Sequence, residues 1–425
     1  MPWMERCRER YGEVWTMRIA QEGDWVVVSD PDVVKQVFKG DPEVFRAGEG
    51  NAILSPLVGD TSVLTLDGAE HMTQRKLMLP PFHGQRMQGY GELMATIAER
   101  EIDSWPSAVG FPAWPRMQAI TLEIILEAVF GLEKGPRLDA LRERLRQVLA
   151  VSSQTSTMLL LALLGPDRFA RLRLVRRQLD PADELLYDQI RERRADPGLA
   201  DREDILSLLL QARYAPADGE GDGEPMSDGE LRDELMTLLV AGHETTATSL
   251  AWTLERLARH PDKLDRLREE VRAGEDAYMD AVIKETLRLR PVLPLVARRL
   301  SEDTELAGHL LPAGTAVCPC IHLMHRRPDI YPEPRAFRPE RFLEQPAGTY
   351  TWLPFGGGVR RCLGASFAQF EMKQVLAALV QRVDVTAPDP APERVMRRAI
   401  TLSPSRGGEV EVRRRPMAAP VPAAA

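Results

Sequence analysis

Cysteine is scarce in this chain. Four thiols in 425 residues, Cys7, Cys318, Cys320 and Cys362, are too few and too scattered for a disulfide framework, and they point to a reducing compartment. Long apolar runs are missing too. Residues 159–164 are uniformly apolar but far too few to span a bilayer. Glu5, Arg6, Arg8, Glu9 and Arg10 occupy the region where a signal peptide or anchor needs apolar residues. The expectation is a cytoplasmic protein with no membrane anchor. An excess of positive charge is also absent. The formal net charge of −8 argues against a general nucleic-acid binder, because neutralising phosphates takes a basic surface. It leaves room for a local basic patch. No internal repeat is visible.

The chain is 44% hydrophobic and 28% charged, enough for a large core in a soluble globular protein. Length alone would allow two or three domains. The N-terminal part reads as mixed strand and turn, with a β-type run over residues 25–28 closed by Ser29-Asp30-Pro31. Helical periodicity dominates residues 70–290. Few strands alternate with it, which excludes a doubly wound βαβ chain. After Pro291 the pattern turns strand- and proline-rich, and one more helix follows Cys362. Residues 215–226 read as an exposed loop. Residues 416–425, rich in proline and alanine, read as a disordered tail behind a domain of residues 1–415. Cys318 and Cys320 lie two apart in an apolar strand, facing one side; they read as core residues.

The longest helix is the most informative. Ser227 with Glu230 three residues on forms a capping box, so the helix starts near Asp228. Leu231, Leu235, Leu238, Leu239, Leu250, Leu254 and Leu257 keep helical spacing, and His260-Pro261 ends it. About 32 residues at 1.5 Å make it roughly 48 Å long, so it crosses the core. Yet Gly242, His243, Glu244, Thr245 and Thr246 stand in its middle. Glycine costs about 1 kcal/mol there against alanine, a threonine hydroxyl bends the helix toward the preceding turn, and a buried carboxylate costs more unless satisfied. One reading is a kinked helix with an exposed polar face. Because apolar turns flank the cluster, a local break at a functional site is the expectation.

The strongest signal is the loop Phe355-Gly356-Gly357-Gly358-Val359-Arg360-Arg361-Cys362-Leu363-Gly364. Three glycines let backbone approach something flat and close. Cys362 sits just before a helix bearing Ala368, Met372, Val375 and Leu379, where the dipole and free N–H groups favour thiolate. A redox cysteine on a glycine-rich turn is the alternative, but no Cys-x-x-Cys occurs. A phosphate loop lacks its Gly-Lys-Ser/Thr ending.

This segment resembles the haem-binding signature of the cytochromes P-450, Phe-x-x-Gly-x-Arg-x-Cys-x-Gly, at every fixed position. The resemblance runs from Tyr11-Gly12 to about Val412. It implies a mainly α fold with a smaller β-rich region, a single triangular domain enclosing haem b. Cys362 is then the metal ligand, with Phe355 and Gly364 around it and Arg360 on a haem propionate. His71 and Arg75, i and i+4 on one helix, resemble the family's propionate-binding pair, and Arg298 stands where a further propionate-binding arginine occurs. Lys284-Glu285-Thr286-Leu287-Arg288 resembles the Glu-x-x-Arg element. Arg341, in Pro339-Glu340-Arg341-Phe342, would join Glu285 and Arg288 in a structural network. Taken alone, Glu285 and Arg288 are an ordinary surface pair worth about 0.2–0.5 kcal/mol.

The resemblance also accounts for the long helix. Gly242 would leave room for O2, Thr245 would hydrogen-bond it, and Glu244 would relay protons; these two are the catalytic candidates. His243 would face away from the iron. The substrate pocket would draw on residues 48–66, 151–169, 292–296 and 400–402, with Ala241, Val292, Leu295 and Thr401 as candidates. Its aliphatic lining suggests an apolar substrate: terpenoid, fatty acyl, steroid or polyketide. The implied activity is insertion of one oxygen atom of O2 by hydroxylation or epoxidation. Electrons would come from NAD(P)H through ferredoxin and ferredoxin reductase, with Lys76 and Arg361 as docking charges on a monomer. Two other readings stand beside it: a haem-thiolate peroxygenase or isomerase not using O2, and a non-catalytic haem- or ligand-binding protein. The family's proline-rich lead-in before Tyr11-Gly12 is missing, which suggests a start placed too far downstream or a naturally short N-terminus.

Overall fold

The structure, a computed structural model, describes residues 1–19, 22–82, 86–131, 135–152, 154–215 and 223–416. Most of the loop expected at 215–226 and nearly all of the tail expected at 416–425 lie outside the described residues.

Helices make up the larger part, as expected, and the long helix is their centre. It runs Asp228–Ala258, 31 residues, behind a complete Ser227–Glu230 capping box. Leu231, Leu235, Leu239, Leu250, Leu254 and Leu257 are buried. The helix packs most extensively on Ala113–Phe130, whose Ile120, Ile124 and Ile125 are buried in turn. The expected break is not there: the helix is continuous through residues 241–246. The polar side chains are absorbed without it. Thr245 Oγ1 donates to the Ala241 carbonyl at 2.6 Å and Ser249 Oγ to the Thr245 carbonyl at 2.8 Å, so each hydroxyl is satisfied within its own helix. Gly242 has a packing reason. A Cβ there would stand 2.9 Å from Ile125 Cδ1, so the glycine lets the two helices close up and leaves no room for a ligand on that side.

The N-terminus departs from the expected strand and turn. Residues Pro2–Tyr11 form a helix. Charged residues hide its periodicity, but proline at its first position favours the start. It is tied down by tertiary contacts: Glu5 accepts from His322 Nε2 at 3.1 Å and also pairs with Arg335. Two strands follow, Val14–Ile19 and Gly23–Val28, antiparallel to each other. Gly23–Val28 then pairs in parallel with Ala316–Pro319, Val27 opposite Cys318. Arg298–Leu300 and Phe45–Arg46 complete a five-stranded sheet. Cys318 and Cys320 are fully buried, as core residues should be. A second sheet joins Gly110–Pro112, between two helices, to Glu409–Arg414 and Val383–Thr386 near the C-terminus. Non-local pairing of this kind interleaves the β-rich and helical parts. Among the described residues no helix is long and apolar enough to cross a membrane.

Candidate active site

Cys362 is held by a tight loop. Its N–H donates to the Phe355 carbonyl at 2.9 Å, and helix Ala365–Arg382 begins just beyond, with Gly364 at its N-cap. Gly356 and Gly358 have φ of 66° and 65°, the left-handed region that favours glycine. Two of the three glycines serve the fold. A Cβ on Gly357 would meet the Phe38 ring at 2.8 Å, and one on Gly358 would collide with the Phe38 carbonyl. They let the loop press onto helix Pro31–Lys39. Only Gly356 has open space beside it.

Cys362 is surrounded by protein, yet the residue keeps an accessible surface. Burial pushes its thiol above the ordinary range; the Gly364 N–H and the charges of Arg75 and Arg361 pull the other way and are outweighed. The dipole argument from sequence is met only in part, since the helix starts beyond the cysteine. A metal cation at the sulfur would reverse that balance.

The charges of Arg75 and Arg361 act on the thiol, and those of Arg75, Arg298 and Arg360 act on a neutral His71. His71 is buried and its Nδ1 has no partner among the described residues. Its pKa is driven down to about 3 by burial, and then by the charges of Arg360, Arg75 and Arg298. Arg75, one turn on from His71, donates to the Arg361 carbonyl at 2.8 Å. Arg298 is buried above the Phe38 ring, donates to the Ala297 carbonyl at 2.8 Å, and has no carboxylate partner among the described residues; burial lowers its pKa to about 10. Arg360 has three protein acceptors. It donates to Val63 O at 3.0 Å, to Leu66 O, and to Asp67 Oδ1 at 2.6 Å.

Asp67 had no place in the sequence reading. An aspartate at a helix start signals a cap, but this one caps nothing in its own helix. It accepts instead from the N–H groups of Gly48 and Glu49, at 2.7 and 2.9 Å, and from Arg360.

Buried cations without counter-charge are costly. A planar group carrying two carboxylates and a metal that takes sulfur would relieve both faults at once. Haem b fits that description: His71, Arg75 and Arg298 suit its carboxylates and Cys362 its iron.

The long helix carries the remaining candidates. Ala241 is exposed although the helix around it is buried. Thr245 follows one turn later. Glu244 turns its carboxyl to the neighbouring helix, where Oε2 accepts from Gln118 Nε2 at 2.9 Å and Oε1 has no partner among the described residues. Burial raises its pKa, while Arg398 and the Gln118 hydrogen bond oppose the rise. One turn on, Trp114 Nε1 donates to Thr248 Oγ1 at 3.2 Å, and the Arg398 guanidinium lies 4.0 Å above the Trp114 ring. Gln118, Trp114 and Arg398 escaped the sequence reading, because nothing local links them to Glu244. His243 is buried with Nδ1 2.8 Å from Thr121 Oγ1, so it faces the neighbouring helix.

The supporting network is assembled. Arg288 Nε and Nη2 donate to Glu285 Oε2 and Oε1 at 2.7 and 2.8 Å, and Arg341 Nε donates to Oε1 at 3.2 Å. Glu285 and Arg288 are fully buried, not on the surface as an isolated pair would be. Remaining Arg288 donors reach the carbonyls of His325, Pro334 and Ala336.

Among the pocket candidates, the Leu402 N–H donates to the Val292 carbonyl at 2.7 Å. That bond brings residues 292–296 and 400–402 together. Val292 and Thr401 are buried and Leu295 half-buried. In residues 151–169, Ser153 and the side chain of Met158 lie outside the described residues.

Comparisons with known proteins follow this geometry. The family profile described as Cytochrome P450 matches residues 2–412. A protein of Mycobacterium tuberculosis named as cytochrome P450 135B1 is 44% identical over 414 residues, spanning 96% of this chain and 86% of its own. Another of that organism, named as cytochrome P450 137, is 40% identical over 96% of this chain and 85% of its own. The solved structure of a retinoic-acid-bound cyanobacterial CYP120A1 superposes with a TM-score of 0.82 at 25% identity, covering 97% of this chain and 94% of that one. A zebrafish cytochrome P450 with progesterone shares the fold, with a TM-score of 0.79 at 22% identity over 97% of this chain and 99% of its own.

Proposed function

Since this chain belongs to the cytochrome P450 family, an oxygenase-type oxidoreductase that carries haem b, we propose that it inserts one oxygen atom of O2 into an apolar organic substrate, by hydroxylation or epoxidation. The observation that carries this reading is the thiol of Cys362, surrounded by protein yet accessible, with the guanidiniums of Arg75 and Arg361 acting on it and neither paired with a carboxylate among the described residues. Haem b, held through Cys362, would supply the reduction of O2, and thiolate ligation would favour that chemistry.

The chain's own residues supply the rest. His71, Arg75 and Arg298 bind and orient the carboxylates of the group, and Arg360 holds the 63–67 turn beside it. Glu244 holds a proton at its carboxyl and takes it up on the Gln118 side, where Arg398 keeps that side polar. Rotation of the Glu244 side chain toward Thr245 passes the proton inward. Thr245 presents its hydroxyl by exchanging its bond to the Ala241 carbonyl. Ala241, Val292, Leu295 and Thr401 surround the substrate and keep water out. Electrons come from NAD(P)H by way of a ferredoxin and its reductase, docking near Lys76 and Arg361. Both side chains are exposed and without an ion-pair partner among the described residues. The Arg75 bond to the Arg361 carbonyl brings the two positions close.

The test is the absorption spectrum of the reduced protein under carbon monoxide. A strongly red-shifted Soret band in the parent, lost in Cys362→Ala, is the expected result. An unshifted band in the parent would mean that sulfur is not the ligand.

A further inference from the structure

Arg75, Arg298, Arg360 and the neutral His71 make up the candidates for the haem carboxylates. Only one of the three guanidiniums meets a carboxylate of the protein. Arg75 donates to the Arg361 carbonyl and Arg298 to the Ala297 carbonyl, and neither has a carboxylate partner among the described residues. Arg360 has one: its Nη2 donates to Asp67 Oδ1 at 2.6 Å. The pair is largely enclosed, with 9% of the Arg360 side chain and 17% of the Asp67 side chain exposed. Charges shielded from water interact strongly, and separating them is costly.

Asp67 makes this pair in place of a local bond. It stands at the N-cap of helix Gly68–Met78, yet its side chain bonds none of the N–H groups there. Its oxygens accept from the N–H groups of Gly48 and Glu49, at 2.7 and 2.9 Å, which are free first-turn donors of the short helix Ala47–Gly50. Gly48 makes the approach possible. A Cβ there would collide with the Thr65 carbonyl and stand 2.7 Å from Asp67 Oδ2. The short helix packs in turn on strand Arg298–Leu300. One carboxylate thus ties together the segments that carry Arg298, His71 with Arg75, and Arg360. Its charge also reaches Arg298: burial lowers the pKa of that guanidinium to about 10, Arg360 adds to the fall, and Asp67 opposes it.

Counting charges gives the consequence. A group with two carboxylates meets two guanidiniums without counter-charge, Arg75 and Arg298, while the third is neutralised by Asp67. The charges balance without Arg360. We propose that Asp67 is a positioning residue for the haem: it keeps Arg360 from the haem carboxylates, leaves these to Arg75 and Arg298, and holds the reduction potential down by its own negative charge. An electron added to the haem makes the centre more negative, and a carboxylate fixed nearby disfavours that. The inference rests on the haem of the proposed function and concerns how readily that haem is reduced.

The experiment is a spectroelectrochemical titration of the full-length holoprotein and two variants. Asp67→Asn removes the charge and keeps the shape; Asp67→Glu keeps the charge. The first should shift the reduction equilibrium about tenfold toward the reduced form, about 59 mV for one electron. The second should stay within about twofold of the parent. A merely structural disturbance would move both alike, so an equal shift in the two variants overturns the proposal, and so does an unchanged potential in Asp67→Asn. Transfer of haem to apomyoglobin is the second readout. Arg360, freed in Asp67→Asn, gains access to a haem carboxylate, so transfer should be no faster than from the parent. A variant that sheds its haem faster, or never holds it, would overturn the proposal in favour of a pair that supports haem binding. The reduced carbon monoxide band of the parent tests the haem-thiolate reading separately. If that band is present and the potentials do not differ, only the role of Asp67 falls.

Discussion

Glu244 carries its carboxyl toward Gln118 and away from Thr245, and burial raises its pKa. A carboxyl whose pKa is raised by burial in a polar niche suits proton transfer better than a fixed charge does. Glu244→Gln should therefore slow substrate oxidation by about a hundredfold or more, with the substrate-induced spin shift kept. An unchanged rate would mean that protons enter by another route. Glu234 makes a different statement at the same scale. It is fully buried, and its Oε1 accepts from the Val63 N–H at 2.7 Å. Burial raises its pKa from 4.5 to about 8. The unfolded carboxyl gives up its proton first, so the folded state binds more protons between those values and stability falls as pH rises. The contribution is complete below pH 4.5 and gone above about 8. In urea titrations the midpoint of the parent should fall across that window, and Glu234→Gln should flatten the fall; equal slopes would refute the assignment.

At the scale of elements, the long helix shows how polar residues cross a core. Its hydroxyls bond back to carbonyls one turn earlier, its carboxylates find partners on adjacent segments, and Gly242 makes way for Ile125. The Glu285–Arg288 pair shows how context changes a magnitude. Exposed, an i, i+3 pair contributes about 0.2–0.5 kcal/mol. Here it is wholly buried and shared with Arg341. Removing the carboxylate leaves two guanidiniums without counter-charge, so Glu285→Gln should destabilise the protein by about 3–5 kcal/mol, read by urea unfolding. A loss within that of a surface pair would show that backbone carbonyls alone satisfy both arginines.

For the molecule as a whole, the distribution of charge matters more than its sum. A chain of net −8 presents Lys76 and Arg361 close to the cysteine loop, where an acidic electron carrier would dock. Reversing both charges (K76E/R361E) should slow reduction by ferredoxin by roughly tenfold at low ionic strength, with the effect fading as salt screens it. Substrate affinity should not move. Stopped-flow reduction measures the first and optical titration the second; unchanged reduction would place the docking face elsewhere.

The sequence alone determined the family, the start of the long helix and the pairing of Glu285 with Arg288, and it singled out Cys362 as the candidate ligand. Each rests on local spacing: a glycine-rich loop of fixed length, a capping box, an i, i+3 repeat. Resemblance to the family named His71, Arg75 and Arg298, and in the fold the charges of Arg75 and Arg298 act on His71. What local spacing does not contain is which distant group answers a polar side chain. Asp67, which no sequence motif singled out, serves as the partner of Arg360, more than 290 residues away. Gln118, which nothing local links to Glu244, donates to its carboxyl. Gly242 and two of the three loop glycines read as space for a ligand, and the space is taken by Ile125 and Phe38. The N-terminal helix was hidden because its buried contacts are made with residues 322 and 335. Only the tertiary structure decided these, because the free energy of a buried polar group or a missing Cβ depends on what packs against it, and packing joins residues that the chain keeps far apart.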